Sequence, residues 1–263
     1  MTPSDGNDAH RPREIAEAVE TLGVAKANMP TVTLLTLAVL AGAFISMSGL
    51  FYLVAITNTE LGFGPTRVLG GVAFSLGLIL VVVAGAELFT GNNLIAMAWA
   101  SRLVGTRAVL RNWALAYVGN VVGCLGTVAL VAMANVASLG GGGVGKTALA
   151  VANSKMALPL SEAFARGVLC NALVCLAVWL TLGGRSVTDK IVAIIFPITA
   201  FVAMGLEHSI ANWFFLPYAA TLGTISWSAA AQNLAAVTAG NLLGGTVLVA
   251  IVYWLAYRRG AAK

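Results

Sequence analysis

The stretch Gly205-Leu-Glu-His-Ser-Ile-Ala-Asn212 places a glutamate and a histidine side by side in the middle of a long apolar tract. A related stretch, Gly85-Ala-Glu-Leu-Phe-Thr-Gly-Asn92, lies 120 residues earlier and has the same glycine, glutamate and asparagine. Two further segments, Gly119-Asn-Val-Val-Gly123 and Gly240-Asn-Leu-Leu-Gly244, match each other at an offset of 121 residues. The chain therefore consists of two related halves, and each half has polar residues inside an apolar segment.

The composition of the 263 residues, 59% hydrophobic and 10% charged, predicts a polytopic membrane protein. Six apolar runs are long enough to cross a bilayer. The second and fifth runs are too long for one straight span, and each contains one of the polar octets, so we predict that both are broken helices. Interrupted segments in two related halves are typical of membrane transporters, and such breaks are tolerated where they line a watery path. The runs are residues 34–56, 68–100, 113–133, 163–182, 191–222 and 229–257.

The two ends of the chain are more polar than the apolar runs. Residues 1–10 are predicted to be disordered. Residues 13–28 have apolar side chains at helical spacing, which fits a helix on the membrane surface and equally a solvated helix. We see no cleavable signal peptide, because an apolar core followed by small residues is lacking there. The domain boundaries are then 1–28 for a cytoplasmic tail and helix, 29–257 for the transmembrane domain, and 258–263 for a cytoplasmic tail.

The net charge of +5 comes from basic residues in short loops and at the termini. This placement argues against a nucleic-acid partner, which calls for a basic patch with interleaved aromatic residues. When the loops are grouped alternately, eleven of the fifteen basic residues fall on one side, which the positive-inside rule places in the cytoplasm with both termini. The other side has Arg67, Lys146, Lys155 and Arg166. The eleven are Arg11, Arg13, Lys26, Arg102, Arg107, Arg111, Arg185, Lys190, Arg258, Arg259 and Lys263.

The segment Gly140-Gly-Gly-Gly-Val-Gly-Lys-Thr147 matches the phosphate-binding pattern of nucleotide-binding domains. That pattern has meaning between a buried strand and a helix, whereas here it follows a transmembrane run. We therefore expect a flexible loop on the outer side and no nucleotide.

His208 is the most informative single residue, because ionisable groups inside a membrane are costly and usually face a pore or the bundle interior. It can hydrogen-bond an anion or exchange a proton; the alternative is a buried structural histidine.

With only two histidines in the chain, no metal cluster is visible, and neither a cofactor nor an enzyme is expected. The three cysteines lie in apolar segments and fit neither a disulfide framework nor a zinc site: Cys124, Cys170 and Cys175.

The repeated polar residues at the two octets are predicted to support the breaks. A glutamate there can accept hydrogen bonds from backbone amides that the break frees, which we favour over acid–base chemistry. An asparagine amide on a neighbouring helix can bond the same backbone. Lys155 is the candidate for an attractive charge at the outer mouth, the alternative being an ordinary loop lysine. The supporting residues are Glu87, Asn92, Asn120, Glu207, Asn212 and Asn241.

The two octets resemble the two signatures of the formate/nitrite transporter family. The segment Asn171-Ala-Leu-Val-Cys-Leu-Ala-Val-Trp179 is similar to that family's fourth span, and the segment beginning at Gly240 to its sixth. The resemblance implies an all-α, aquaporin-like protomer of six helices in two inverted halves, with the second and fifth helices broken. It also implies a homopentamer in the cytoplasmic membrane, with a pore in each protomer.

The resemblance also implies positions for the residues of the pore. His208 and Thr90 match the hydrogen-bonding residues of a central chamber, and Lys155 and Asn171 match a pair in the outer vestibule that attracts anions. Two hydrophobic gates flank the chamber and fall on Leu78, Leu88, Phe89, Phe74 and Phe201.

The implied function is passive or proton-coupled transport of a small monovalent anion, chiefly nitrite or formate. The form Glu87-Leu-Phe-Thr-Gly91 and a short loop over residues 217–230 are more similar to nitrite channels, whereas Pro217 is found in formate channels; together they favour nitrite slightly. Whether the anion or the neutral acid passes stays open. The alternatives are hydrosulfide within the family, an aquaporin-like pore for neutral solutes, and an ammonium transporter. The missing Asn-Pro-Ala motif argues against the aquaporin.

Overall fold

A computed structural model of the chain describes residues 9–260, and within that range the regular secondary structure is entirely helical. The prediction of an all-α protein is confirmed. Most of the segment predicted to be disordered, and part of the C-terminal tail, lie outside the described residues. The α-helices are α1 (Pro12–Ala27), α2 (Thr31–Ile56), α3 (Phe63–Ile79), α4 (Ile95–Ala100), α5 (Thr106–Met133), α6 (Gly143–Met156), α7 (Leu160–Thr181), α8 (Val187–Ala203), α9 (Ser209–Leu222), α10 (Trp227–Leu243) and α11 (Val252–Tyr257).

Five helical stretches in the described part of the chain are long and apolar enough to cross a membrane. Two of them include π-helical turns, Leu80–Gly85 after α3 and Gly244–Ile251 between α10 and α11. The predicted fifth run is divided between α8 and α9, with 17 and 14 residues, and neither alone reaches the roughly 20 residues of a full span. The five stretches are Thr31–Ile56, Phe63–Gly85, Thr106–Met133, Leu160–Thr181 and Trp227–Tyr257.

The helices are interrupted at both polar octets. In the first break, residues 86–90, the chain leaves the π turn at Gly85 (φ +83°) and continues extended at Ala86. In the second break, residues 204–208, Gly205 has φ +73° before α9 begins at Ser209. A side chain is strained at positive φ, so glycine is the residue suited to both turns. This explains why a glycine precedes each glutamate in the sequence repeat.

Helix α1 packs its apolar face against protein. Ile15 and Val19 are buried in a cluster with Met97 and Trp179. Glu20 accepts hydrogen bonds from the hydroxyl of Ser101 and from Nε of Arg258, the latter at 2.7 Å. The apolar face of α1 therefore contacts protein, whereas the sequence predicted contact with a lipid surface or with solvent.

The expectation of a flexible loop at the glycine-rich segment is wrong from Gly143 onward, where α6 begins. Gly140, Gly141 and Gly142 all have positive φ and form the tight turn before it. Three alanines follow within α6, so the segment favours a helix once the turn is complete. In the described chain no strand precedes this turn, so the structural context of a phosphate-binding loop is missing. Helix α6 places Lys155 in its last turn.

Two of the repeated glycines let transmembrane helices touch backbone to backbone. A β-carbon at Gly123 of α5 would lie 2.0 Å from the carbonyl oxygen of Val39 in α2. A β-carbon at Gly244 would lie 2.1 Å from the carbonyl oxygen of Val168 in α7. Both distances are far below van der Waals contact. Close packing of this kind replaces the hydrophobic driving force that lipid does not provide.

Candidate functional site

The first break is held by Asn120 of α5. Its Oδ1 accepts the backbone N–H of Phe89 at 2.9 Å, and its Nδ2 donates to the carbonyl of Glu87 at 2.9 Å. Nδ2 also donates to the carbonyl of Ala38 in α2 at 2.7 Å. Asn120 therefore satisfies backbone groups on both sides of Leu88 and anchors them to a transmembrane helix.

The second break has the same arrangement around Asn241 of α10. Its Oδ1 accepts the N–H of Ser209 at 2.8 Å, and its Nδ2 donates to the carbonyls of Glu207 and Gly167 at 2.9 and 2.8 Å. His208 lies between the two bonded positions, as Leu88 does in the first break. The repeat in the sequence thus corresponds to a repeat in hydrogen bonding. The residue between the two bonded positions is a leucine in the first break and a histidine in the second.

The carboxylate of Glu207 pairs with Lys155. Nζ of Lys155 lies 3.0 and 3.1 Å from the two carboxylate oxygens, and Nδ2 of Asn212 donates to Oε2 at 2.7 Å. Asn233 completes the group, since its Oδ1 accepts from Asn212 and its Nδ2 donates to the Lys155 carbonyl. A carboxylate buried at membrane depth is tolerated when a cation and hydrogen bonds compensate it.

Glu87 has an equivalent set of partners. Nζ of Lys26, from α1, lies 2.5 Å from Oε1, and Nδ2 of Asn92 donates to Oε2 at 2.8 Å. Asn112 accepts from Asn92 and donates to the carbonyl of Lys26, as Asn233 does in the other half. The expectation that the glutamates accept bonds from freed backbone amides differs from this structure. The asparagines on α5 and α10 bind that backbone, and the carboxylates bind lysines.

The sequence-based reasoning missed three members of these networks: Lys26, Asn112 and Asn233. A signal for the two asparagines was present, because they are separated by the same 121 residues as Asn120 and Asn241. Lys26 and Lys155 are 129 residues apart, so the offset of the octets does not relate them. Only the position of α1 against the first break shows that Lys26 belongs to the site.

His208 and Thr90 join the two breaks. Nε2 of His208 lies 3.0 Å from Oγ1 of Thr90, and both side chains are buried. Nδ1 of His208 accepts the backbone N–H of Ala211 at 3.1 Å, so in the neutral ring the proton is on Nε2. Nε2–H then donates to Oγ1, which leaves the threonine O–H to donate to another group. Thr90 and the N–H of Ala211 together fix the orientation of the His208 ring.

Two cavities meet at His208. The large cavity, of about 280 Å³, includes Lys155, Glu207 and His208 in its lining. The apolar chamber, of about 10 Å³, is at the lower limit for holding one water molecule. Phe74 and Phe201 line both, with their rings edge to face at a centroid distance of 5.7 Å. The other residues lining the chamber are Ile45, Leu78, Leu88, Val174 and Ile198.

The structure separates some residues that the family resemblance grouped. Phe89 lines neither of these two cavities and packs its ring against Tyr117 at 5.0 Å. Asn171 does not bond Lys155. Its Nδ2 instead donates to the carbonyl of Thr90 and, at 2.7 Å each, to Oδ1 of Asn93 and the carbonyl of Asn241. Asn171 therefore links the first break to α10, whose Asn241 holds the second break, from a fully buried position.

Metal-ligating residues are not clustered in the described part of the chain, where no group of three or more His, Cys, Asp or Glu side chains could hold an ion. The three cysteines are buried and free. Cys175 donates to the Thr90 carbonyl at 3.3 Å, so it packs against the first break.

A profile of the formate/nitrite transporter family matches residues 13–255. The chain belongs to that family. Two solved structures of similar fold agree with this: one described as a pentameric formate channel with formate bound, at 38% identity and a TM-score of 0.77, covering 86% of this chain and 97% of that one; and one described as an FNT family ion channel, at 25% identity and a TM-score of 0.84, covering 92% and 98%.

Curated relatives of this formate/nitrite transporter are similar over nearly their whole length. The formate channel FocA of Escherichia coli K12 is 38% identical, over 94% of each chain. The uncharacterized transporter YrhG of Bacillus subtilis is 37% identical, over 95% of this chain and 94% of that one. With its membrane-crossing helices, the chain is a multi-pass membrane protein of a transporter family.

Proposed function

We propose that the chain is a channel for formate, working as a homopentamer in the cytoplasmic membrane with both termini in the cytoplasm. The observation that carries the proposal is His208, which lines both the large cavity and the apolar chamber and is held by Thr90. Formate is favoured as the substrate because the named relatives include formate channels, and a similar structure is described as pentameric with formate bound.

The anion first enters the large cavity on the outer side, where Lys155 provides a positive charge paired with Glu207. Beyond it, Phe74 and Phe201 leave a chamber too small for a hydrated ion, so water must be removed and the two rings must move. Moving a bare charge into such a space is expensive. A hydrogen bond from His208, which lines both cavities, lowers that cost where the carboxylate passes, and Leu78 and Leu88 form the gate on the other side.

The geometry favours a hydrogen-bonding role for His208 over that of a proton donor. Its Nδ1 accepts the N–H of Ala211. A second ring proton would have to be on Nδ1, where it would face that N–H, and two donors cannot bond each other. A neutral acid therefore takes its proton before it reaches His208, and Thr90 positions the histidine ring that receives the substrate.

Nitrite is the second candidate, because the segment from Glu87 to Gly91 has the form that resembles nitrite channels. The short loop that also favoured nitrite runs only between α9 and α10, over residues 223–226, since Pro217 lies inside α9. Nitrite and formate are both small, planar, monovalent anions with two oxygens.

The test is a flux assay in proteoliposomes with formate, nitrite and hydrosulfide, compared with glycerol and ammonium, at two pH values. We expect formate and nitrite flux and little glycerol flux; glycerol flux without anion flux contradicts the proposal. His208→Ala should slow formate flux strongly, and an unchanged rate with an unchanged pH dependence removes His208 from the mechanism. Lys146→Gln, at an exposed residue of the glycine-rich segment, should transport as the wild type does.

A further inference from the structure

The large cavity carries more positive charge than a single lysine explains. Arg67, Lys155 and Arg166 all line it, and among the described lining residues Glu207 alone carries a carboxylate. That carboxylate is paired with Lys155. Arg166 pairs with Glu162 at 3.1 Å, but this contact is exposed and Glu162 does not line the cavity. The two guanidinium groups thus leave the cavity itself with a net positive charge.

The two arginines are held next to each other by the end of α8 and the start of the second break. Arg67 donates to the carbonyls of Val202 and Ala203 at 2.7 and 3.0 Å, and Arg166 to the carbonyl of Gly205 at 3.4 Å. A β-carbon on Gly205 would lie 3.0 Å from Nη2 of Arg67 and 3.9 Å from Nη1 of Arg166. The last carbonyls of α8 hold Arg67 and the Gly205 carbonyl holds Arg166, and both side chains retain N–H donors that these bonds do not use.

The equivalent positions in the other half show that the fold does not require arginine here. The N–H of Glu207 donates to the carbonyl of Arg166, and that of Glu87 donates to the carbonyl of Leu37, so Leu37 is the counterpart of Arg166. Val187 stands 120 residues after Arg67, at the start of α8 as Arg67 is near the start of α3. Both counterparts are apolar, so the arginine pair is a property of the large cavity alone.

We propose that Arg67 and Arg166 make the large cavity a binding site for carboxylates, in which a dicarboxylate such as oxalate binds and blocks the channel. A planar guanidinium group presents paired donors that match a carboxylate, and two such groups at one glycine suit a ligand with two carboxylates. The cavity has about 280 Å³, whereas the chamber beyond Phe74 and Phe201 has about 10 Å³. Oxalate therefore stops at the constriction. The inhibition, but not the binding, rests on the function proposed above.

Binding is tested first, by isothermal titration calorimetry of oxalate into the purified protein in detergent without added phospholipid, so that lipid headgroups do not compete. The double variant Arg67→Gln/Arg166→Gln should bind oxalate at least about tenfold more weakly than the wild type, because it loses charge-assisted hydrogen bonds. Lys146→Gln is the control, since Lys146 is a basic residue of the same face that lies outside the cavity lining. Equal affinity in the wild type and the double variant overturns the proposal.

Loss of folding is separated from loss of the site by Arg67→Lys/Arg166→Lys, which keeps both charges near the same backbone carbonyls but lacks the paired donors. We expect this variant to melt close to the wild type and to bind oxalate less tightly. Wild-type affinity in the lysine variant contradicts recognition by the guanidinium groups.

Inhibition is tested next, with formate flux measured at increasing oxalate on both faces of the vesicles. Oxalate should raise the formate concentration needed for half-maximal flux in the wild type and in Lys146→Gln, with a much smaller effect in the double glutamine variant. If oxalate binds in an arginine-dependent way but formate is not transported, the site stands and the proposed function fails. If formate is transported and oxalate neither binds nor inhibits, the function stands and the site fails.

Discussion

Asn120 and Asn241 make equivalent hydrogen bonds to two different helix breaks. Each accepts one backbone N–H and donates to the carbonyl two residues earlier, on either side of one central residue. Each also donates to a carbonyl of the neighbouring helix. Backbone groups that are buried at membrane depth without partners are costly, so these two amides make the breaks stable.

The first prediction concerns these amides. Asn241→Leu keeps the size of the side chain but leaves the N–H of Ser209 and the carbonyl of Glu207 without their partner. We expect the free energy of unfolding to fall by about 2–4 kcal/mol. Thermal unfolding in detergent measures the change, with the exposed Asn153→Leu as a control that stays within about 0.5 kcal/mol of the wild type. Equal melting of the two variants would show that the break does not depend on Asn241.

The second prediction concerns the buried ion pair. The side chains of Lys155 and Glu207 are 12% and 6% exposed, so Lys155→Gln leaves a carboxylate with little water to solvate it. We expect a loss of about 3 kcal/mol. The double variant Lys155→Gln/Glu207→Gln should recover part of that loss, since no charge is then left unpaired. Glu162→Gln, in the exposed pair with Arg166, should cost less than about 1 kcal/mol. Chemical denaturation of all variants checks this, and the idea fails if the double variant is less stable than Lys155→Gln.

The third prediction compares two glycines of helix α5. Gly123→Ala puts a methyl group against the Val39 carbonyl, which forces α2 and α5 apart and should cost at least about 2 kcal/mol. Gly126, in the same helix, has open space where a β-carbon would lie, so Gly126→Ala should be neutral or stabilising by up to about 1 kcal/mol. Melting temperatures of the two variants decide, and similar values would contradict the close-packing argument.

The fourth prediction concerns Thr90. Thr90→Val has nearly the same shape but lacks the hydroxyl that bonds Nε2 of His208. Formate flux should fall by at least about tenfold, because the His208 ring loses the partner that holds it between the two cavities. Thr90→Ser retains the hydroxyl and should keep most of the flux. If the valine variant conducts as well as the serine variant, the hydroxyl has no part in transport.

The fifth prediction concerns the constriction between the two cavities. Phe201→Leu shortens one of the two rings that line both, so larger monocarboxylates should pass more easily. We expect the ratio of lactate to formate flux to rise. Phe214→Leu is the control, because Phe214 is equally buried and lines neither cavity. A ratio that rises equally in both variants would point to general loosening of the core.

Much of the architecture could be predicted from local patterns. The apolar runs indicated membrane-crossing helices because such helices need a fixed apolar length, and the two octets indicated where the helices are interrupted. The glycines at positions 85 and 205 were informative for a local reason, since both have positive φ. Helix α6 was missed, because its glycine-rich start has the composition of a loop and its first residues follow a tight turn.

The partners of the polar side chains could not be predicted in the same way. Lys26 reaches Glu87 across 61 residues of sequence, and Lys155 reaches Glu207 across 52, by paths that depend on where α1 and α6 pack. The family resemblance matched Asn171 and Lys155 to a pair in the outer vestibule, whereas in the structure Asn171 does not line the large cavity and bonds the backbone of both halves.

The sequence by itself determined that this chain crosses a membrane, that its two halves are related, and that each is interrupted at a glycine and a glutamate. These features depend on composition, length and backbone conformation, which are local. The tertiary structure alone decided which groups satisfy the breaks, that the histidine bonds Thr90, and that two arginines meet at Gly205. Those outcomes depend on the distances between side chains of different helices, and only helix packing sets these distances.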